Sequence, residues 1–211
     1  MSRQWCGSLV AAGLLTALVP PVQAAESMTP DDFRVYCGYL EAQQDETMAK
    51  LSTKARDAKI AKMAKVNPKK LKQMVKLGES WGSSCEAITK QVEKDILQAL
   101  QDTRLKSRVE FVEVSGEQWD QMVVRIRWKG DEDRYLEEEA ATAALVTLER
   151  FPMVHTMACA AYNPHKPDES LFEGIISNSR MGNIQKDRIE TFADTRYIKL
   201  FDNKKFAKPR P

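Results

Sequence analysis

From Thr29 to about Lys106 apolar residues recur at helical spacing and never alternate with period two. Thr29-Pro30-Asp31-Asp32 reads as a helix start, with a capping hydroxyl, proline in the first turn and acid near the positive end of the dipole. Phe33, Tyr36, Cys37 and Leu40 follow as an apolar stripe, and the pattern runs on through Met48, Leu51, Ala55, Ala58 and Met63 without glycine or proline. Asn67-Pro68 begins a second helix carrying Leu71, Met74 and Val75. Gly78, Gly82, Ser83 and Ser84 are expected to break it. A third helix starts near Cys85 with Ile88, Val92, Ile96 and Leu100 on one face. The expectation is a helical hairpin plus a third helix over residues 25–107.

Past Arg108 the texture changes. Val109 to Val114 and Met122 to Trp128 are rich in β-branched and aromatic residues, and the second run alternates Val124, Ile126 and Trp128 against Arg125 and Arg127. Glu132 to Arg150 reads as a helix whose small face, with Ala140 and Ala144, would lie close on a sheet. Met153 to Tyr162 and Leu171 to Ser179 are two further strands, joined by a loop from Asn163 to Glu169. The order ββαββ over residues 108–182 predicts a small antiparallel sheet with one covering helix, so the chain is α+β. Residues 183–211 form a partly helical, basic tail ending in prolines.

The first 24 residues stand apart from both halves. Arg3 is followed by an apolar run from Leu9 to Val19, then Pro20-Pro21 and the small-x-small triplet Val22-Gln23-Ala24. This is the pattern of a cleaved secretory signal. The run is shorter than the ~20 residues a bilayer span requires. The chain is therefore expected to be exported, to periplasm or medium, with no transmembrane segment after cleavage. A hydrophobic fraction of 43% and a charged fraction of 29% belong to a globular protein. The formal charge of +2 names no partner by itself.

Export changes the reading of the cysteines. Cys37, Cys85 and Cys159 outlast the signal, and in an oxidising compartment two of them are expected to pair. Cys37 with Cys85 is the predicted bond. Two unbroken helices turning at Val66 would misalign them by about 15 Å. An extended stretch from Gly78 to Gly82 would restore the match.

Candidate chemistry is sparse. His155 and His165 belong to no tight pair of metal ligands. His155 and Cys159 share a strand face at a separation of roughly 13 Å, too far for one to activate the other. Cys159, among Met157, Ala158 and Ala160, reads as a small buried residue. Glu137-Glu138-Glu139 reads as a solvated helix face. Neither a phosphate-binding glycine loop nor a nucleophile elbow occurs, so no catalytic, cofactor or metal residues are assigned.

Ile60-Ala61, Ala64, Val66, Leu71 and Met74 resemble the apolar spacing of a DNA-binding helix-turn-helix, with Lys65 where that motif usually has glycine. An exported chain rarely meets a genome, so no sequence-specific nucleic acid is expected. The surrounding charge is the stronger signal. Between Lys50 and Lys76 nine lysines and Arg56 face a single acid, Asp57. Lys59, Lys62, Lys65, Lys69, Lys70, Lys72 and Lys76 are the candidate contact surface. The expected function is non-enzymatic binding of another macromolecule, a protein in the first instance. Peripheral binding to anionic lipid, or an enzyme with an unrecognised site, are the alternatives.

Overall fold

The computed structural model describes residues 27–116, 121–130, 135–183 and 200–206. The signal pattern and most of the expected helical tail lie outside them. Helices α1 (Pro30–Gln44), α2 (Glu46–Ala49), α3 (Thr53–Met63), α4 (Pro68–Trp81) and α5 (Cys85–Leu100) come first. Strands β1 (Val109–Ser115) and β2 (Met122–Lys129) follow, then α6 (Leu136–Ala144), which continues into a π-helical turn at Leu145–Glu149. The chain closes with β3 (Val154–Asn163), β4 (Lys166–Ser177), a 3-10 turn at Asn178–Asn183 and β5 (Asn203–Phe206). The protein is α+β, as the pattern predicts.

Local chemistry accounts for the helix ends. Thr29 and Asp32 form a reciprocal capping box, the Asp32 N–H donating to Thr29 Oγ1 at 3.2 Å and the Thr29 N–H to Asp32 Oδ2 at 3.0 Å. Asn67 accepts the Lys70 N–H at 2.8 Å, with Pro68 as the first helical residue of α4. The long first helix expected from the unbroken pattern is instead interrupted twice. Asp45 is extended and accepts the N–H groups of Thr47 and Met48, so a side chain takes donors that a continuing helix would use. Ser52, also extended, then caps α3.

Gly78 was expected to break the second helix, yet it lies within α4. A Cβ there would fall 2.2 Å from the Tyr36 ring, so glycine lets α1 and α4 cross closely. The break comes at Gly82, whose carbonyl accepts the Tyr36 hydroxyl at 2.8 Å. Cys37 and Cys85 are bonded, with Cα atoms 5.7 Å apart. The alignment comes from the two interruptions of the outward arm and the bend at Gly82–Ser84, not from an extended Gly78–Gly82.

The sheet has order β1-β2-β3-β4-β5. Its hairpins are antiparallel, but β2 and β3 pair in parallel, with Ile126 opposite Cys159. A strand that returns through a covering helix enters in the same direction, and the antiparallel expectation gives way at this one pair. The expected loop from Asn163 to Glu169 shortens to a turn at Pro164-His165, where Asn163 Oδ1 accepts the His165 N–H at 2.9 Å. Within the expected tail, Asn203–Phe206 is a strand on β4.

One core joins the two halves. Phe33, Tyr36 and Cys37 of α1 and Ile88, Val92 and Ile96 of α5 share it with Val112, Val124, Trp128, Met157 and Phe172 of the sheet. A smaller cluster of Val35, Met48, Ile60, Ala61, Leu71 and Met74 holds α3 and α4 against the other side of α1.

Candidate basic interface

α3 and α4 bury a narrow apolar stripe against the smaller cluster, α4 also packs Val75, Leu77 and Trp81 on the main core, and Met63 of α3 is left exposed among the lysines. On α3 that stripe is Ile60 and Ala61; on α4 it is Leu71, Met74 and Gly78. The lysines fall outside the stripes, and Lys59, Lys62, Lys65, Lys69, Lys70, Lys72 and Lys76 are all exposed. Lys69, Lys72 and Lys76 stand three and four residues apart, which stacks them on one outward face of α4. None of the nine lysines forms an ion pair among the described residues. Arg56 and Asp57 are only half exposed and belong to the inner side of α3.

The turn between the helices is specific. Lys65 has φ of 56°, the left-handed region. The Lys65 N–H donates to the Lys62 carbonyl at 3.2 Å and the Val66 N–H to the Ala61 carbonyl at 2.9 Å. This pair of bonds is the Schellman closure, in which the left-handed residue is usually glycine. A lysine there carries a backbone cost of about 1–2 kcal/mol and projects its charge from the tip of the hairpin. Nearby, Asp45 is held below the usual carboxylate range, chiefly by the Thr47 hydroxyl and the Met48 and Thr47 N–H groups, with Lys59 adding a smaller pull.

The other candidates have different settings. Cys159 is buried, its thiol donates to the Gly174 carbonyl at 3.4 Å, and burial pushes it up to about 12. Such a thiol is not a nucleophile near neutral pH. His155 Nδ1 lies 2.8 Å from Thr156 Oγ1, and His165 is exposed at the β3–β4 turn. Among the described residues no three His, Cys, Asp or Glu side chains converge on a possible metal site, and no helix is long and apolar enough to cross a membrane.

The glutamate run overturns its expectation. Glu137, Glu138 and Glu139 are 3%, 3% and 4% exposed. Glu139 accepts Arg108 Nη2 at 2.5 Å and the Trp128 indole N–H at 2.7 Å, while Glu137 takes Lys204 of β5. Consecutive helical positions do point apart, but each direction here ends in protein. Burial raises the Glu139 carboxyl above its ordinary value, against the opposing pull of Arg108 and Trp128. The alternation of Arg125 and Arg127 against the inward residues of β2 did mark an outer sheet face. That this face holds a cleft of about 560 Å³ was not legible, because it needs five strands side by side. The chain matches no known protein family model, no curated protein and no solved structure.

Proposed function

We infer that this is an exported, non-enzymatic protein that binds an acidic protein surface through α3, the Lys65 turn and α4. The observation that carries the reading is the set of exposed, unpaired lysines on these two helices, with Lys65 held left-handed at their junction. A soluble face is served by mixed signs, whereas a single-sign patch adds self-repulsion that a partner of opposite charge would relieve. Export is supported by the signal pattern of Met1 to Ala24 and by the Cys37–Cys85 bond. Few aromatic side chains interleave with the lysines, which disfavours stacking on single-stranded nucleic acid.

The test compares the parent with a variant carrying Lys62→Glu, Lys65→Glu, Lys69→Glu and Lys70→Glu. Capture of an envelope protein from extract should be lost in the variant. In the parent it should weaken with salt, since exposed charges are screened over about 8 Å at physiological ionic strength. Sedimentation with anionic vesicles is the parallel arm. Binding there, with no protein captured, would assign the patch to lipid instead. Equal, salt-insensitive behaviour of parent and variant in both arms would overturn the reading.

A further inference from the structure

The outer face of the sheet carries a second surface, built from different residues. Facing the core are Val112, Val124, Ile126, Trp128, Met157, Phe172 and Ile176. The alternate residues face outward and fall into rows across the strands. Phe111 pairs with Arg127, Arg127 with Ala160, Ala160 with Glu173 and Glu173 with Lys205. The next row runs from Glu113 through Arg125, Ala158 and Ile175 to Asn203. The cleft of about 560 Å³ lies along these two rows. Its volume falls within the range of ordinary ligand sites, roughly 300–1,000 Å³.

The shape follows from strand geometry. The rows span four inter-strand spacings of ~4.8 Å, about 19 Å, of which the low part between β2 and β4 takes two, about 10 Å, and two residues along each strand make it roughly 7 Å wide. Its floor, on the central strand, is Ala158 and Ala160, so the depression exists because those side chains are single methyl groups. Ile175 borders it on β4 and Phe111 stands beyond Arg127 on β1; they are 42% and 41% exposed. Large side chains of this kind left half open over a narrow floor suit a rod-like apolar occupant.

The charges select one end of that occupant. Arg127 is held in place, 3.1 Å from Glu110 and stacked 4.4 Å over the Tyr162 ring, and it donates to the Pro167 carbonyl. Arg125 is looser. Its contact with Glu113 is 3.5 Å long, with both side chains half exposed, a surface pair that an incoming anion can displace. Across the trough Lys205 is exposed, and Glu173 is the acidic residue of the lining. Among the lining side chains Arg125, Arg127, Lys204 and Lys205 outnumber Glu173, while Glu110 and Glu113 of β1 pair the two arginines, which stand side by side on β2.

We propose that this trough binds a single-chain amphiphile with an anionic head, the head at Arg125 beside Arg127 and the chain across Ala158 and Ala160 towards Ile175. An extended acidic peptide has a similar shape and charge, but the trough suits it less well. The backbone groups of the central strands are already committed to the sheet ladder. A peptide lying across their faces would find no free backbone partners beneath it for the N–H and C=O groups it turns from solvent, and a hydrocarbon chain has none to satisfy.

The test uses the protein as recovered from cells expressing the full chain, titrated calorimetrically with laurate below its micelle concentration. Butyrate and dodecyltrimethylammonium isolate the contributions of chain and head. Laurate should saturate one site and bind on the order of a hundredfold tighter than butyrate. Arg125→Gln should weaken laurate about tenfold and leave the cationic amphiphile unchanged. Ala158→Leu should fill the floor and abolish binding. Ile175→Ser, at a position 42% exposed and so milder for the fold, should weaken it and keeps the test valid if the leucine variant misfolds. Equal binding of laurate by parent and Ile175→Ser overturns the proposal. So does equal binding of the two amphiphiles, a tighter fit for an acidic peptide, or occupation of the trough by the chain's own tail.

Discussion

Two runs of like charge lie in this chain, and they have opposite fates. Lysines spread over α3 and α4 all face solvent. Three consecutive glutamates at the start of α6 are all buried. Helical periodicity alone places both runs at the surface, the lysines as a contact face and the glutamates as a solvated one. The difference lies in what is packed against each helix. α3 and α4 touch the rest of the protein on one side only, through the smaller cluster and, for α4, the main core, and their lysines lie on the free side. α6 is buried along its whole length, and Arg108 and the Trp128 indole meet Glu139 there while Lys204 meets Glu137. A charge run is thus a statement about surface only where the element is known to have one. Buried charge tolerates change poorly, and exposed charge tolerates it well.

The largest effect tests the bond that ties the helical side of this comparison to its core. Replacing Cys37 and Cys85 together by alanine should cost up to about 4 kcal/mol in the chain-entropy account of a loop this long. Urea unfolding of the two proteins measures it, and a loss much under ~1 kcal/mol would mean that packing of α1 and α5 suffices alone.

Next in size is the buried run itself. Glu139→Ala leaves the Arg108 guanidinium and the Trp128 N–H without their acceptor and should cost about 3 kcal/mol. The fourfold lysine-to-glutamate variant, despite its larger change of charge, should stay within ~0.5 kcal/mol per site. Thermal unfolding of both under one buffer sets the contrast directly. Comparable losses would erase the distinction between the runs.

Lys65 sharpens it from the other side. Lys65→Gly should raise stability by about 0.5–1 kcal/mol, relief of the left-handed backbone being partly offset by the greater freedom of glycine when unfolded. The same variant should weaken partner capture. A gain in melting temperature with undiminished capture would leave the turn as a structural feature only.

The smallest expected effect is a change of pH slope. Because burial raises the Glu139 carboxyl, the folded protein holds that proton more tightly than the unfolded chain does. The stability it contributes is full below the unfolded value, about 4.3, and is lost as pH rises through the raised folded value. Glu139→Gln lacks this titration. Its melting temperature relative to the parent should therefore improve between about pH 4 and pH 7, whatever the offset at the acid end. A difference that stays flat would show that Arg108 and Trp128 cancel the desolvation.

Much of the architecture was carried by nearest neighbours along the chain. Thr29 and Asn67 begin helices through bonds to residues three further on, with Pro68 first in α4, and alternation in Met122 to Trp128 assigns a strand and both its faces. The Cys37–Cys85 pairing was legible as well, since an oxidising compartment and three cysteines leave few choices, although the path that closes it was not. The breaks at Asp45 and Ser52 were missed because no glycine or proline marks them. The signal there is a short polar side chain competing for backbone donors, and only Asp45 with Thr47 two residues on hints at it.

What the sequence determined by itself was therefore whatever depends on periodicity, capping and cysteine count: the α+β class, the run of elements from α4 to β4, the bond and the one-sided lysine charge. Tertiary structure alone decided that Gly78 sits against Tyr36, that Glu137 to Glu139 are inside, that β2 and β3 run in parallel, and that five strands leave a trough over Ala158 and Ala160. Each of these requires residues tens of positions apart to meet. Side-chain spacing along one element reports which way a residue points, but never what waits there.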